Sequence, residues 1–319
     1  MTARRKKPGP PPRPPRINPT EPLMADVQRL LGEREFASLD DVNAFLGQAL
    51  ASGHIERRAP DTPLDRAQDL MFRAWESPAR KERIALAKQA IGICADCADA
   101  FVLLAEETAT SHMEAAKLYE KGVAAGERAL GLNTFTDEVG HFWGLTQTRP
   151  YMRARLGLAQ ALWAMRMHQP AINHFEAMLR LNESDNQGVR YLLAALYAEL
   201  GRDEELDDLL VRFNDDASAA WTWTRALWGF RNAGETTAVR SFLATALAGN
   251  RHVPDYLLKR KRMPKQSPDS MGRGDEDEAV AYMEEFGKPW RETPGALEWL
   301  AKAETETAGT KRGRKGRGR

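Results

Sequence analysis

The chain carries a helical hydrophobic pattern that repeats about every 34 residues, and this repeat restricts its possible folds more than any other feature. From residue 152 to residue 248, apolar side chains recur at spacings of three and four. The second-helix positions Ala171, Leu206 and Val239 lie 35 and 33 residues apart. Such spacings predict amphipathic α-helices, and a fixed period of this length is typical of stacked helical hairpins.

Each repeat also places a small residue where its two helices would meet. Ala105, Ala159 and Ala194 occupy this position in three units. A small side chain lets two helices approach closely, and one hairpin cannot bury its own apolar face, so the units must stack. The pattern therefore predicts an all-α, tetratricopeptide-type helical-hairpin solenoid with no reaction centre.

Composition divides the chain into five expected segments. Eight of the 18 prolines fall within the first 22 residues, where few apolar side chains could be buried. Ser38 could cap a helix that runs from Leu39 to Leu50. The segments are a disordered Pro/Arg/Lys-rich arm at 1–22, a short helical element and linker at 23–63, the solenoid at 64–250 with an insert at 131–150, capping helices at 251–303, and a disordered Arg/Gly/Lys-rich tail at 304–319.

Charge is strongly segregated along the chain, although the net charge is only +1. Residues 1–16 carry six cations and no acid, and so do residues 311–319. The remaining 34 basic residues face all 45 acidic residues, so residues 17–310 have a net charge of −11. The chain therefore has an acidic body and two basic tails. This segregation, unlike the average charge, indicates that the chain has charged partners.

The sequence predicts a cytoplasmic protein without membrane association. No stretch approaches the roughly 18 uninterrupted apolar residues of a spanning helix. The basic N-terminus runs into prolines rather than an apolar segment, so a cleaved secretion signal is not expected. Two cysteines cannot build a disulfide framework, which favours a reducing compartment.

Cys94 and Cys97 form a C-x-x-C in a turn between two predicted helices. They are interpreted as structural thiols, with a redox switch or part of a metal site as alternatives. The chain contains no zinc-protease, nucleophile-elbow, Walker or dinucleotide-binding motif. We therefore expect no enzyme activity, no cofactor and no metal. An enzyme that uses the insert and the two cysteines stays an unsupported alternative.

A basic, aromatic-edged cluster follows the insert and predicts a partner-binding groove. Arg149 and Arg153 share one face of a helix, as do Tyr151 and Arg155. An acidic protein or peptide segment could bind there; alternatively, these side chains pair with the body's surplus carboxylates or with the insert. The candidate groove residues are Arg149, Tyr151, Arg153, Gln160, Asn186 and Arg190.

The two basic tails suggest an alternative function in DNA or RNA binding, and the C-terminal tail carries the clearest signal. Alternating arginine and glycine cannot form a packed core, and the tail is similar to the Arg-Gly-Arg segments that enter narrow A·T minor grooves. Docking of the tail onto the chain's own acidic body is the competing possibility. The candidate DNA or RNA contacts are Lys311, Arg312, Arg314, Lys315, Arg317 and Arg319.

Long blocks of the sequence resemble known proteins. The segments CADAFVLLAEETATSHMEAAKLYEKGVAAG (97–126) and TRPYMRARLGLAQAL (148–162) resemble the suppressor of tumorigenicity family, the one numbered seven. The blocks LRLNESDNQGVRYLLAALYAELGRDEE and GDEDEAVAY with TPGALEWL resemble uncharacterised bacterial tetratricopeptide proteins. The resemblance covers roughly 64–300 and implies an all-helical interaction scaffold without established catalytic residues. Animal members of the family are membrane-anchored, a location not expected for this chain.

Overall fold

The computed structural model describes residues 20–32, 34–51, 62–268 and 270–315. They form fifteen α-helices and two single-turn 3-10 helices, and their one β interaction is an isolated bridge between His141 and Asn182. The predicted all-α class is therefore confirmed. Among the described helices, none combines the length and the apolar composition that crossing a bilayer requires.

The chain divides into two compact units, residues 1–189 and residues 190–319. The first unit contains eight α-helices within its described residues. They are α1 (Glu21–Gly32), α2 (Leu39–Ala51), α3 (Pro63–Glu76), α4 (Arg80–Ile93), α5 (Ala98–Thr108), α6 (His112–Asp137), α7 (Arg149–Ala164) and α8 (His168–Leu181). Short turns join α3 to α4, α5 to α6 and α7 to α8, and the two helices of each pair are in extensive contact. The first helices α3, α5 and α7 pack against one another in chain order.

The helices of the first unit begin at residues with strong capping chemistry. The Thr62 hydroxyl accepts from the Asp65 amide, and the Asp65 carboxylate accepts from the Thr62 amide, which forms a capping box before Pro63. Ser111 caps α6 through the Glu114 amide. These caps satisfy amides that have no partner inside the helix, so the hairpin turns are encoded locally.

Small residues line the contacts between helices, as the repeat pattern predicts. Ala105 and Ala159 in the first unit are fully buried. Ala67, Ala87 and Leu103 belong to the core that α3, α4 and α5 share. Side chains of this size let the helix backbones approach closely, and the larger aliphatic residues fill the space between pairs.

The insert at 131–150 folds onto the first unit. Gly131 adopts a left-handed backbone (φ 72°) that kinks α6, and two 3-10 turns follow at Phe142–Gly144 and Thr146–Thr148. The Phe142 ring is fully buried, and its centroid lies 6.2 Å from that of Tyr151. The Gly140 carbonyl accepts from the Glu183 amide, which attaches the insert to the loop after α8.

The second unit contains α9 to α15 and an aromatic core. Trp290 is fully buried, and the stacked rings of Phe230 and Trp299 lie 4.6 Å apart. Asp275 caps α14 through the Glu278 amide. The helices are α9 (Val189–Leu200), α10 (Asp203–Arg212), α11 (Ala219–Ala233), α12 (Thr237–Gly249), α13 (Val253–Leu257), α14 (Glu276–Glu292) and α15 (Ala296–Lys315).

Two helix boundaries fall inside segments that were predicted as tails. Helix α1 begins at Glu21, within the predicted arm at 1–22, and the backbone of α15 continues to Lys315, within the predicted tail at 304–319. Residues 1–19 and 316–319, which belong to the same two predictions, lie outside the described residues.

Gly157 lets α7 approach Tyr119 of α6 closely. A Cβ placed on Gly157 would lie 2.3 Å from Cε1 of the buried Tyr119 ring. We expect Gly157→Ala to lower the free energy of unfolding by about 1–3 kcal/mol, because the ring has no free space to move into. Urea denaturation measures this change.

The matched control is Gly92→Ala in α4, where no atom lies within 4 Å of the added carbon. This change should leave stability unchanged or raise it by up to about 1 kcal/mol, since alanine favours helix more than glycine does. Equal effects of the two substitutions would contradict the packing described here.

Candidate functional site

Arg149, Tyr151 and Arg153 lie in the first two turns of α7, which has Pro150 in its opening turn. All three side chains are buried. The two arginines pair with acidic groups and with the insert inside the first unit, and Arg155 donates to the Tyr151 hydroxyl, which is the alternative that the sequence left open. Partner binding by these residues stays a prediction.

Arg153 lies at the centre of a buried ion-pair network and is 2% exposed. Its Nε and Nη2 atoms donate to both carboxylate oxygens of Asp99 on α5, at 2.8 and 2.6 Å. Its Nη1 atom lies 2.9 Å from Oε1 of Glu21 on α1. Burial alone would lower the pKa of Arg153, but the charges and hydrogen bonds of Asp99 and Glu21 raise it above its usual range.

Glu21 bridges the two arginines of α7. Its Oε2 atom lies 3.5 Å from Nη1 of Arg149, and the Arg149 Nε donates to the Trp143 carbonyl of the insert at 2.9 Å. Two guanidinium groups and the carboxylates of Glu21 and Asp99 thus balance each other. Buried charges persist in proteins only with this kind of pairing and hydrogen bonding.

Helix α3 completes the surroundings of the network. Gln68 donates to Oδ2 of Asp99 at 2.7 Å, and the Arg153 guanidinium lies 5.6 Å from the centre of the Trp75 ring. The network therefore joins α1, α3, α5 and α7. Each of these helices contributes a polar group that the others need.

A cavity of about 430 Å³ lies beside the network, between α1 and the rest of the first unit. Glu21 and Gln68 line it on one side, and Tyr151 lines it from α7. Its walls also include Ala25, Gln28, Leu64, Leu145 and Pro150. The cavity combines apolar walls with a few polar groups, the composition expected of a binding cleft.

The three other predicted groove residues are not part of this network. Gln160 lies two turns after Arg153 on α7 and is half-buried, and Asn186 is exposed in the loop after α8. Arg190 belongs to the second unit, where its Nε atom donates to Asp216 at 2.9 Å and its guanidinium lies 4.4 Å from the centre of the Tyr191 ring. Of the six candidates, the structure brings together Arg149, Tyr151 and Arg153 at the start of α7.

Sequence reasoning missed Glu21, Asp99 and Gln68. Glu21 was placed in the arm, although a threonine before it and Pro22 after it are helix-start signals. Asp99 lies in the apolar run ADAFVLLA, and an ionised residue in such a run needs a partner. No local signal marks Gln68.

The cysteine pair has a structural environment. Cys97 precedes α5 and is fully buried, and this burial, followed by the charge of Asp99, raises the pKa of its thiol to about 12. A redox or metal-binding cysteine needs its thiolate at neutral pH. Among the described residues, no group of three or more potential metal ligands occurs. The interpretation as a structural thiol is therefore favoured for Cys97, whereas Cys94 is half-buried.

The side chains of the predicted nucleic-acid contacts from Lys311 onward lie outside the described part of the chain, although α15 carries the backbone to Lys315. Their role in DNA or RNA binding stays a prediction.

Removing Arg153 should destabilise the protein strongly. We expect Arg153→Ala to cost about 3–5 kcal/mol, because Asp99 and Glu21 would keep buried charges without their cation. The control is Arg128→Ala, which breaks the 2.8 Å ion pair of a 56% exposed arginine with Asp96 and should cost at most about 1 kcal/mol. Denaturant unfolding compares them, and similar losses would contradict a stabilising role for the network.

Glu106, two turns after Asp99 on α5, should make stability depend on pH. Burial, then the charges of Asp99 and Glu107, raise its pKa to about 8, although Arg153 and Arg83 oppose the shift. The folded chain then keeps a proton that the unfolded chain releases above its ordinary pKa of 4.5, so stability falls between these values as pH rises.

Glu106→Gln should remove this dependence. Its stability relative to wild type should rise with pH between 5 and 8, by at most about 1.4 kcal/mol per pH unit. Urea denaturation at several pH values measures the difference. Glu120→Gln on the exposed face of α6 is the control, and parallel pH profiles of wild type and Glu106→Gln would refute the assignment.

The first unit contains the part of the chain that matches a family. Residues 59–142, which include Gln68 and Asp99 but neither Glu21 nor Arg153, match the sequence model described as ST7 protein. No solved structure matches the chain.

Curated relatives extend the match to most of the chain. It is 31% identical over 269 residues to the suppressor of tumorigenicity 7 protein-like of Gallus gallus, an alignment that covers 75% of this chain and 47% of the relative. The human protein of that name is 30% identical, with 75% and 46% covered. The Drosophila melanogaster protein ST7 homolog is 28% identical, with 73% and 47% covered. The chain spans about half the length of these relatives. The predicted resemblance is thus confirmed for the suppressor of tumorigenicity 7 family, to which these matches relate the chain.

Proposed function

We propose that the chain is a non-catalytic scaffold that binds a protein or peptide partner on the face formed by the first helices of its tetratricopeptide-type pairs. In such repeats the first helices line the concave side, which these proteins use for binding. In the first unit these helices are α3, α5 and α7.

One observation carries this proposal: the cleft between these helices already holds a helical segment. Helix α1 lies against them, and its Glu21 carboxylate meets Arg149 and Arg153. A surface that desolvates and pairs a carboxylate from a separate helix has the chemistry needed to bind a helix. This helix-in-groove mode is common in peptide recognition.

The alternative of nucleic-acid binding rests on the sequence of the two basic tails alone, so the scaffold is the function that we propose. We place it in the cytoplasm because two cysteines cannot build a disulfide framework, which favours a reducing compartment.

Site-specific photocrosslinking tests the scaffold. A photoreactive benzoylphenylalanine at Gln160, on the first helix α7, should capture one discrete protein partner from a lysate of the source cells. The same group at the exposed position Lys88, on the second helix α4, is the matched control and should not capture it. Equal capture at both positions, or capture at Lys88 alone, would contradict binding on the first helices.

A further inference from the structure

The cleft beneath α1 specifies the chemistry of its partner. We infer that α1 is an internal ligand, and that the partner is an amphipathic α-helix whose own carboxylate replaces Glu21 at Arg149 and Arg153. This inference rests on the proposed scaffold function and adds to it the identity of the site and the kind of helix that the site accepts.

Three polar side chains attach α1, each to a different element. Glu21 reaches the arginines of α7. Gln28 accepts from the Thr146 amide of the insert at 3.1 Å, and also from the Thr146 hydroxyl. Arg29 lies 3.2 Å from Asp69 on α3. Because Gln28 and Arg29 follow Glu21 by seven and eight residues, all three lie on one helix face.

Apolar packing of α1 against the cleft is incomplete. Leu23 is 49% exposed, and residue 22 and residues 24–31 are half-buried. The cavity of about 430 Å³ also lies between α1 and the helices below it. Walls without neighbouring atoms lose dispersion contacts, so α1 does not use the full binding capacity of the cleft. A helix with larger apolar side chains would fill this space.

Charge balance identifies what must replace α1. With α1 removed, the two arginines at the α7 end of the cleft would keep only the carboxylate of Asp99 on Arg153, whereas Asp65 and Asp69 at the α3 end would lose Arg29. A desolvated, unpaired cation is strongly unfavourable, so the α7 end of the open cleft selects an anion and the α3 end a cation. Glu21 supplies this anion from the first turn of a helix, where the helix dipole also favours a negative charge.

The pattern of α1 therefore describes the partner helix. It should carry an acidic residue in its first turn, and an amide and a cation seven and eight residues later, opposite Thr146 and Asp69. Helix α1 competes with such a partner from within the same chain, because its connection to α3 keeps it at the cleft whatever the concentration of free partner. Weakening α1 should therefore raise the apparent affinity of an external helix.

Peptide binding to the full chain tests the inference. The ligand is a fluorescent peptide with the sequence of residues 20–32, TEPLMADVQRLLG. It should bind Glu21→Gln about tenfold or more tightly than wild type, because the internal competitor has lost its charge. Glu35→Gln, an exposed site just after α1, is the matched control and should bind like wild type. A peptide with glutamine in place of its glutamate should lose this gain.

Equal affinity of wild type and Glu21→Gln, or binding that ignores the peptide's carboxylate, would overturn the inference. If Glu21→Gln unfolds, hydrogen exchange of wild type decides: saturating peptide should accelerate exchange in residues 21–32, and unchanged exchange refutes displacement. If a partner is captured at Gln160 but the peptide effects are absent, the proposed scaffold function stands and the inference that α1 is an internal ligand is rejected. If the peptide effects occur but nothing is captured at Gln160, the helix-binding cleft stands and the proposed scaffold function is rejected.

Discussion

The first unit depends on the charge balance at Arg153. A guanidinium that is almost fully buried requires carboxylates in fixed positions, and Asp99 and Glu21 provide them from two other helices. Such pairs add little net stability over apolar packing, but losing one partner is costly, so they specify which helices belong together. This requirement is one determinant of the position of α1, beside the packing of its half-buried side chains.

Close backbone contact makes this geometry possible. Gly157 and Gly126 leave room for the rings of Tyr119 and Tyr151, which brings α6 and α7 together. The first turns of α7 then face α5 and α1 rather than solvent, and the arginines at its start become buried. The close packing at the two glycines therefore buries the arginines, and the buried arginines in turn require the paired carboxylates.

The family match and the ion-pair network overlap only in part. The matched segment 59–142 contains the α3 and α5 contributions, Gln68 and Asp99, whereas α1 and α7 lie outside it. The chain also covers about half of its curated relatives. The cleft is thus best understood from this chain's own residues, since Glu21 and Arg153 complete it from beyond the matched segment.

The sequence alone determined the helical class and the burial of Ala105 and Ala159, because spacings of three and four residues and small-residue positions are local or periodic signals. It also identified Arg149, Tyr151 and Arg153 as a group, since they share a few turns of one helix. Only the tertiary structure decided that these residues are buried. Their partners Glu21 and Asp99 lie 132 and 54 positions away from Arg153 in the chain, and no local pattern encodes a charge pair formed across such a distance.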